Sequence, residues 1–311
     1  MFPRWRRGEL ASESRPGWES VGTARRTLKL RRAVVGCLLV LALTLVGLET
    51  ALRFAAYLAE DRIEAKRDAA TFVGTADVAV YGDSTPFGLG NERSFPTVLA
   101  ESTNLSIANR SKPGINSNQA LVILRDDLAR FTPRCVIVMV GVNDVWNLDD
   151  VSPDLLPPGQ HWQLGLRGLR LWRMARLWWY AGQAFERVKG QGFQRDRAES
   201  YKDTDTESIS RHGIRGIHAV ATEHGGRILF LGYPRHGWNA GADRVERIID
   251  QEFPDDYLRI RDAFADRAWF QRDGFHVTDD GQVLIAKLVE AEMARRGWVQ
   301  KMPGRGGACM Q

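Results

Sequence analysis

The sequence predicts a parallel α/β sheet with helices on both faces, preceded by one apolar helix that crosses a membrane. Three observations carry that expectation. Short apolar runs alternate with helix-like stretches from about residue 76 to residue 297, the pattern of a parallel sheet built from strand–helix units. One run, C-V-I-V-M-V at 135–140, is apolar at every position, as expected of a strand covered on both sides. An uncharged stretch, Ala33 to Leu48, follows a basic leader.

At 311 residues, 44% hydrophobic and 26% charged, the chain has room for one sizeable domain with additions. The leader, residues 1–32, reads as a disordered basic cytoplasmic tail. It holds nine of the 43 Lys and Arg but only three of the 38 Asp and Glu, which leaves 34 basic and 35 acidic residues elsewhere. The body is therefore neutral, and nothing in it supports nucleic-acid binding.

Residues 33–52 are expected to form the transmembrane helix. Sixteen uncharged residues rise about 24 Å at ~1.5 Å each, and the apolar pattern continues past Glu49 and Arg53, which are spaced to pair one turn apart. Positive charge ahead of the span keeps the N-terminus cytoplasmic and puts the rest outside, in the periplasm or the cell exterior. A cleaved signal peptide would have a shorter leader and small residues at a cleavage point. The membrane is thus an expected partner, through this helix. Cys37, Cys135 and Cys309 are too scattered for a disulfide framework or a zinc site.

Residues 53–75 read as a charged helical linker, 76–297 as the globular domain, and 298–311 as a flexible tail. Strands are expected at 77–81, 105–108, 135–140 and 227–231, with a weaker one at 257–260. Helices are expected at 117–131, 206–224, 242–252 and 279–296, the last capped by Thr278-Asp279-Asp280. Segment 150–200 breaks the alternation and interleaves tryptophan with arginine. It reads as a helix packed on the domain with arginine stems along its edge, and its place after a strand's carboxyl end makes it a lid or acceptor-site candidate.

Four short segments fall where this sheet puts its ligand edge, beyond the carboxyl ends of the strands. They are G-D-S at 82–84, N-R-S-K-P-G-I-N at 109–116, G-V-N-D at 141–144 and D-G-F-H at 273–276. Alone, each is an ordinary turn, and Ser84 could simply cap a helix. Together and in this order they resemble the SGNH (GDSL-type) hydrolase family, over roughly Asp77 to Arg296.

That resemblance implies a three-layer α/β/α flavodoxin-like sandwich with about five parallel strands. It matches Ser84 to the nucleophile, and Asp273 and His276 to the acid and base of a catalytic triad. The backbone N–H groups of Ser84 and Gly114 and the side-chain amide of Asn143 match the oxyanion hole. Ser111 departs from the pattern, since a glycine often stands there. Asp83 and Asp144 read as supporting or turn residues.

In such a site His276 would take the serine proton while Asp273 fixes the imidazole tautomer. A chymotrypsin-like order fails because the first histidine, His161, follows Ser84, and the G-x-S-x-G elbow is absent. His212, His218 and His224 are too staggered on one helix for a metal, and no metal or cofactor is expected. Arg235, His236 and Trp238, after the fourth strand, are candidates to line the substrate cleft.

The expected function is a membrane-anchored serine esterase acting on an O-acyl ester of a glycan or lipid, acetylated surface glycans among them. An O-acyltransferase with the same triad, a phospholipid-directed lipase and a non-enzymatic membrane scaffold are the alternatives.

Overall fold

The computed structural model describes residues 18–66, 76–179, 204–235 and 240–299. The chain divides into two compact units, residues 1–58 and 59–311.

The described residues of the first unit belong to helix α1, Trp18–Lys66. The basic stretch expected to be disordered is helical from Trp18 onward, because arginine, lysine and leucine are good helix formers and nothing breaks the run. Within α1, Lys29–Leu58 is long and apolar enough to cross a membrane, somewhat more than the expected 33–52. Thirty residues rise about 45 Å against a hydrocarbon core of about 30 Å. Arg53 donates to Glu49 at 2.8 Å, as their spacing predicts. Thr44 and Thr50 turn their hydroxyls back onto the carbonyls of Val40 and Val46, so these polar groups are satisfied inside the helix.

The second unit contains a five-stranded parallel sheet: β1 Val78–Gly82, β2 Ile107–Asn109, β3 Cys135–Met139, β4 Arg227–Leu231 and β5 Tyr257–Leu258. Its order, β2-β1-β3-β4-β5, is that of the flavodoxin-like doubly wound fold. Strand residues alternate between two cores. Ala79, Tyr81, Val136, Val138, Ile228 and Phe230 pack with helices α4 (Ser117–Leu128), α7 (Thr204–Glu223) and α8 (Ala240–Glu252). Val78, Val80, Ile137, Met139, Leu229 and Leu231 pack with α3 (Phe95–Thr103) and α9 (Asp279–Arg295). Both faces of β3 are covered, which is why every residue in it is apolar.

The sequence pattern predicts no helix between β1 and β2. Two are present: α2, Ser84–Phe87, directly after β1, and α3. The signals for α3 were there, with a proline in its first turn and Asn104 closing it at φ 58°.

After β3 the chain makes a 3₁₀ turn, Val142–Val145, then α5 Trp162–Leu166 and α6 at 170–179. The arginines here face the domain. Arg167 donates to the Val151 carbonyl, Arg173 pairs with Asp149, and Arg176, buried, donates to the Val145 carbonyl. Trp162, Trp178 and Trp179 are exposed.

Candidate active site

Order reversal in the sheet lies between β1 and β3, with β2 on one side and β4 on the other. Chains leaving the two central strands diverge there and open a crevice at the carboxyl edge. Ser84 leaves β1 into that crevice and Asn143 leaves β3 into it.

Ser84 is the first residue of α2. Asp83 precedes it and accepts from the Thr85 N–H at 3.1 Å. Gly82 permits the turn, since a Cβ there would stand 2.2 Å from Pro86 Cγ and 2.7 Å from the Met139 carbonyl oxygen.

His276 arrives from the loop between β5 and α9. Its Nε2 lies 2.9 Å from Ser84 Oγ, and its Nδ1 lies 2.6 Å from Asp273 Oδ2. The other Asp273 oxygen accepts from the backbone N–H groups of Phe275 and His276 at 2.9 and 3.0 Å. Partial burial would raise the Asp273 pKa, but the hydrogen bond from His276 and those two backbone bonds outweigh it and hold the carboxyl below its usual range. Serine, histidine and aspartate therefore form one continuous hydrogen-bonded line.

Gly114 sits in the loop after β2 at φ 77°, a left-handed conformation suited to glycine. Ser111, where a glycine is often found, is buried and takes a negative φ. Its N–H is held by Asn109 Oδ1 at 3.1 Å, so the loop accommodates the departure. Gly141, at φ 106°, turns β3 sharply into the segment that carries Asn143. The Asn143 amide donates to the Ile115 carbonyl at 3.0 Å and to Asp83 Oδ2 at 3.3 Å, and its oxygen accepts from Trp146 Nε1 at 3.0 Å. Among the described residues, the N–H groups of Ser84 and Gly114 have no acceptor.

The two aspartates beside the blocks are fully buried. Asp83 also accepts from the Tyr233 hydroxyl at 2.7 Å. Burial pushes its pKa up to about 6, against the lowering effect of Tyr233 and the Thr85 N–H. Asp144 holds the N–H and hydroxyl of Ser117 at 2.8 Å each and so ties the β3 exit to the start of α4. Burial raises its pKa too.

Arg235 has a different setting from the cleft-lining one expected. It is buried, with Nη2 2.6 Å from Asp243 and 2.9 Å from Glu246 on α8, so its charge is spent inside the domain. His236 and Trp238 lie outside the described residues. The remaining histidines have structural partners: His161 the Leu156 carbonyl, His212 Asn118, His218 Asp256, and His224 the Val220 carbonyl. Among the described residues no cluster of three or more His, Cys, Asp or Glu is placed to hold a metal.

Four residues that hold the site together were missed from sequence. Tyr233 braces Asp83, and Trp146 holds Asn143. Gln282, buried on α9, donates to the Thr85 carbonyl and accepts from the Phe95 N–H. Gln271 donates to the carbonyls of Val277 and Leu89 at 2.9 and 3.1 Å, stitching the base loop to the turn beyond Ser84. Tyr233 and Trp146 lie within three residues of a strand end or a block, which was the available signal.

No family model matches the sequence, and no curated protein matches it. Solved structures similar to this chain include that of TesA, at 16% identity and a TM-score of 0.45 over 71% of this chain and 98% of its own. A GDSL-like lipase from Bacteroides thetaiotaomicron is 13% identical, with a TM-score of 0.43 over 70% of this chain and 88% of its own. An acetyl xylan esterase from Geobacillus stearothermophilus is 14% identical, with a TM-score of 0.44 over 71% and 96%. Lipases and esterases are among the structures it resembles. The chemistry rests on this chain's own side chains.

Proposed function

We propose that this chain is a serine ester hydrolase of the SGNH type. The observation that carries the reading is the line Ser84 Oγ, His276 Nε2, His276 Nδ1, Asp273 Oδ2, with contacts of 2.9 and 2.6 Å. A serine hydroxyl is a weak nucleophile until a base takes its proton, and a base works only with the correct nitrogen free. The Asp273 carboxylate accepts from Nδ1–H, which leaves Nε2 unprotonated and facing Ser84.

Ser84 Oγ attacks the ester carbonyl carbon as Nε2 receives the proton. The resulting oxyanion is met by the N–H groups of Ser84 and Gly114, which have no acceptor among the described residues, and by the Asn143 amide. His276 then passes its proton to the departing alkoxide, leaving an acyl group on Ser84. Water, deprotonated by the same nitrogen, releases the acid. Each oxyanion donor contributes about 3 kcal/mol to such a transition state.

The substrate we propose is an O-acyl ester carried by a glycan or lipid outside the cytoplasm, reached by a domain anchored through α1. The apolar Lys29–Leu58 stretch and the basic residues ahead of it support that placement. Fluorophosphonate labelling tests the catalytic reading: the wild-type chain is expected to label and Ser84→Ala to stay unlabelled. Equal labelling of both would overturn it.

A further inference from the structure

We propose that Trp146 is a positioning residue, whose indole N–H fixes and strengthens the Asn143 amide as an oxyanion donor. The proposal rests on the esterase reading above and deepens it. Its basis is one side chain touching two of the three oxyanion positions. Trp146 Nε1 donates to Asn143 Oδ1 at 3.0 Å. Its ring also covers Gly114, where an added Cβ would lie 3.3 Å from Cη2.

A carboxamide has a donor end and an acceptor end of nearly the same shape, so its orientation is set by its neighbours. Three groups agree here. The acceptors Asp83 Oδ2 and the Ile115 carbonyl face the nitrogen, and the donor Trp146 Nε1 faces the oxygen. At rest both amide hydrogens are engaged, and the bond to Asp83, at 3.3 Å, is the longer. When an oxyanion forms it can draw that hydrogen away, while Asp83 keeps Tyr233 and the Thr85 N–H. The amide is then held by the Ile115 carbonyl at one end and by Trp146 at the other.

Accepting at Oδ1 also polarises the amide, which makes its N–H groups better donors, because linked hydrogen bonds reinforce one another. Such a gain is realised only when negative charge develops on the substrate oxygen. It therefore acts on kcat and leaves KM alone. Trp146 is itself locked in place, since its backbone N–H donates to the Asn143 carbonyl at 3.1 Å.

The experiment is a double-mutant cycle on the full chain, read by p-nitrophenyl acetate hydrolysis and by the rate of fluorophosphonate attachment. Trp146→Phe keeps an aromatic ring and loses the donor. Replacing the indole at 146 with benzothiophene keeps its shape and exchanges N–H for sulfur, which covers the case in which Phe disturbs the fold. Loss of one neutral hydrogen bond is expected to lower kcat and the attachment rate about tenfold. KM should change less than about twofold, and the same change made in Asn143→Ala should have no further effect. An unchanged kcat in the benzothiophene variant, or an equal loss in both backgrounds, would overturn the role of Trp146. If Asn143→Ala keeps full activity, the oxyanion assignment of Asn143 falls, and the Trp146 role with it. A wild-type chain that neither hydrolyses the ester nor labels removes the esterase reading before any variant is made.

Discussion

The Ser84 turn and the His276 loop, nucleophile and base in the proposed mechanism, meet at the Ser84–His276 hydrogen bond but are built in opposite ways. Asp83, Ser84 and Thr85 are buried, packed against the β3 carbonyl edge and joined to partners far away in sequence: Tyr233, Gln282 and Asn143. The base loop is open, with the Asp273 side chain 48% exposed and its bonds made to residues two and three positions onward. Precision on one side comes from tertiary packing, and on the other from local geometry. Damage to the packing or the braces of the first side should therefore cost stability as well as activity, whereas damage to the second should cost activity alone.

Ser84→Ala gives the largest effect, a loss of about 10⁶ in kcat by analogy with other serine triads. Its melting temperature should stay close to wild type, because only one hydroxyl is removed. Asp273→Asn comes next. An amide N–H facing Nδ1 selects the wrong tautomer and lowers kcat about 10⁴-fold. Unfolding in urea should leave this variant within about 0.5 kcal/mol of wild type, as for other exposed positions. A large destabilisation would break the contrast.

Gly82→Ala attacks the buried side. Its Cβ would press on Pro86 and the Met139 carbonyl, and overpacking of this kind costs about 1–3 kcal/mol. Both the urea midpoint and the hydrolysis rate should fall.

Asp83→Asn sharpens the comparison through pH. The folded pKa of Asp83, about 6, exceeds its ordinary 3.8. Between those values the folded state binds more protons than the unfolded one, so this group's stabilisation is complete below pH 3.8 and is lost as pH rises through 6. Subtracting the variant's urea-unfolding profile from that of wild type should show a loss on the order of 3 kcal/mol across this window. A flat difference would mean that Asp83 ionises normally.

The smallest expected effect is that of Gln282→Leu. It strands the buried Phe95 N–H and removes one of two donors to the Thr85 carbonyl, which keeps the Gly88 N–H, at a cost of about 2 kcal/mol. A modest loss of kcat should accompany it as α2 loses its tie to α9.

What could be read from the sequence divides along the same line. Ser84, Gly114, Asn143, Asp273 and His276 sit in short blocks that are ordinary turns one by one; periodicity gave the strand ends they follow, and the resemblance of the four blocks together gave the roles expected of them. β3 announced itself by its unbroken apolar run, and α9 by Thr278, which accepts from the Gly281 N–H. The role of Tyr233 was hidden because its meaning is a distant contact: it serves Asp83 across 150 positions. Arg235 looked like a ligand-edge cation because its partners, Asp243 and Glu246, belong to the next helix. Helix α3 was not named although Pro96 and Asn104 mark its two ends, and the basic start of α1 was lost because charge suggested disorder.

Asp273 and His276 stand three residues apart on a single loop. The acid and base of the proposed mechanism are thus a cassette that can be shifted without being taken apart. An insertion between β5 and Asp273 would carry the pair away from Ser84 while leaving its internal alignment intact. The imidazole would still hold the correct tautomer and simply lack a hydroxyl to serve, so loop length tunes the reach of the base independently of its chemistry.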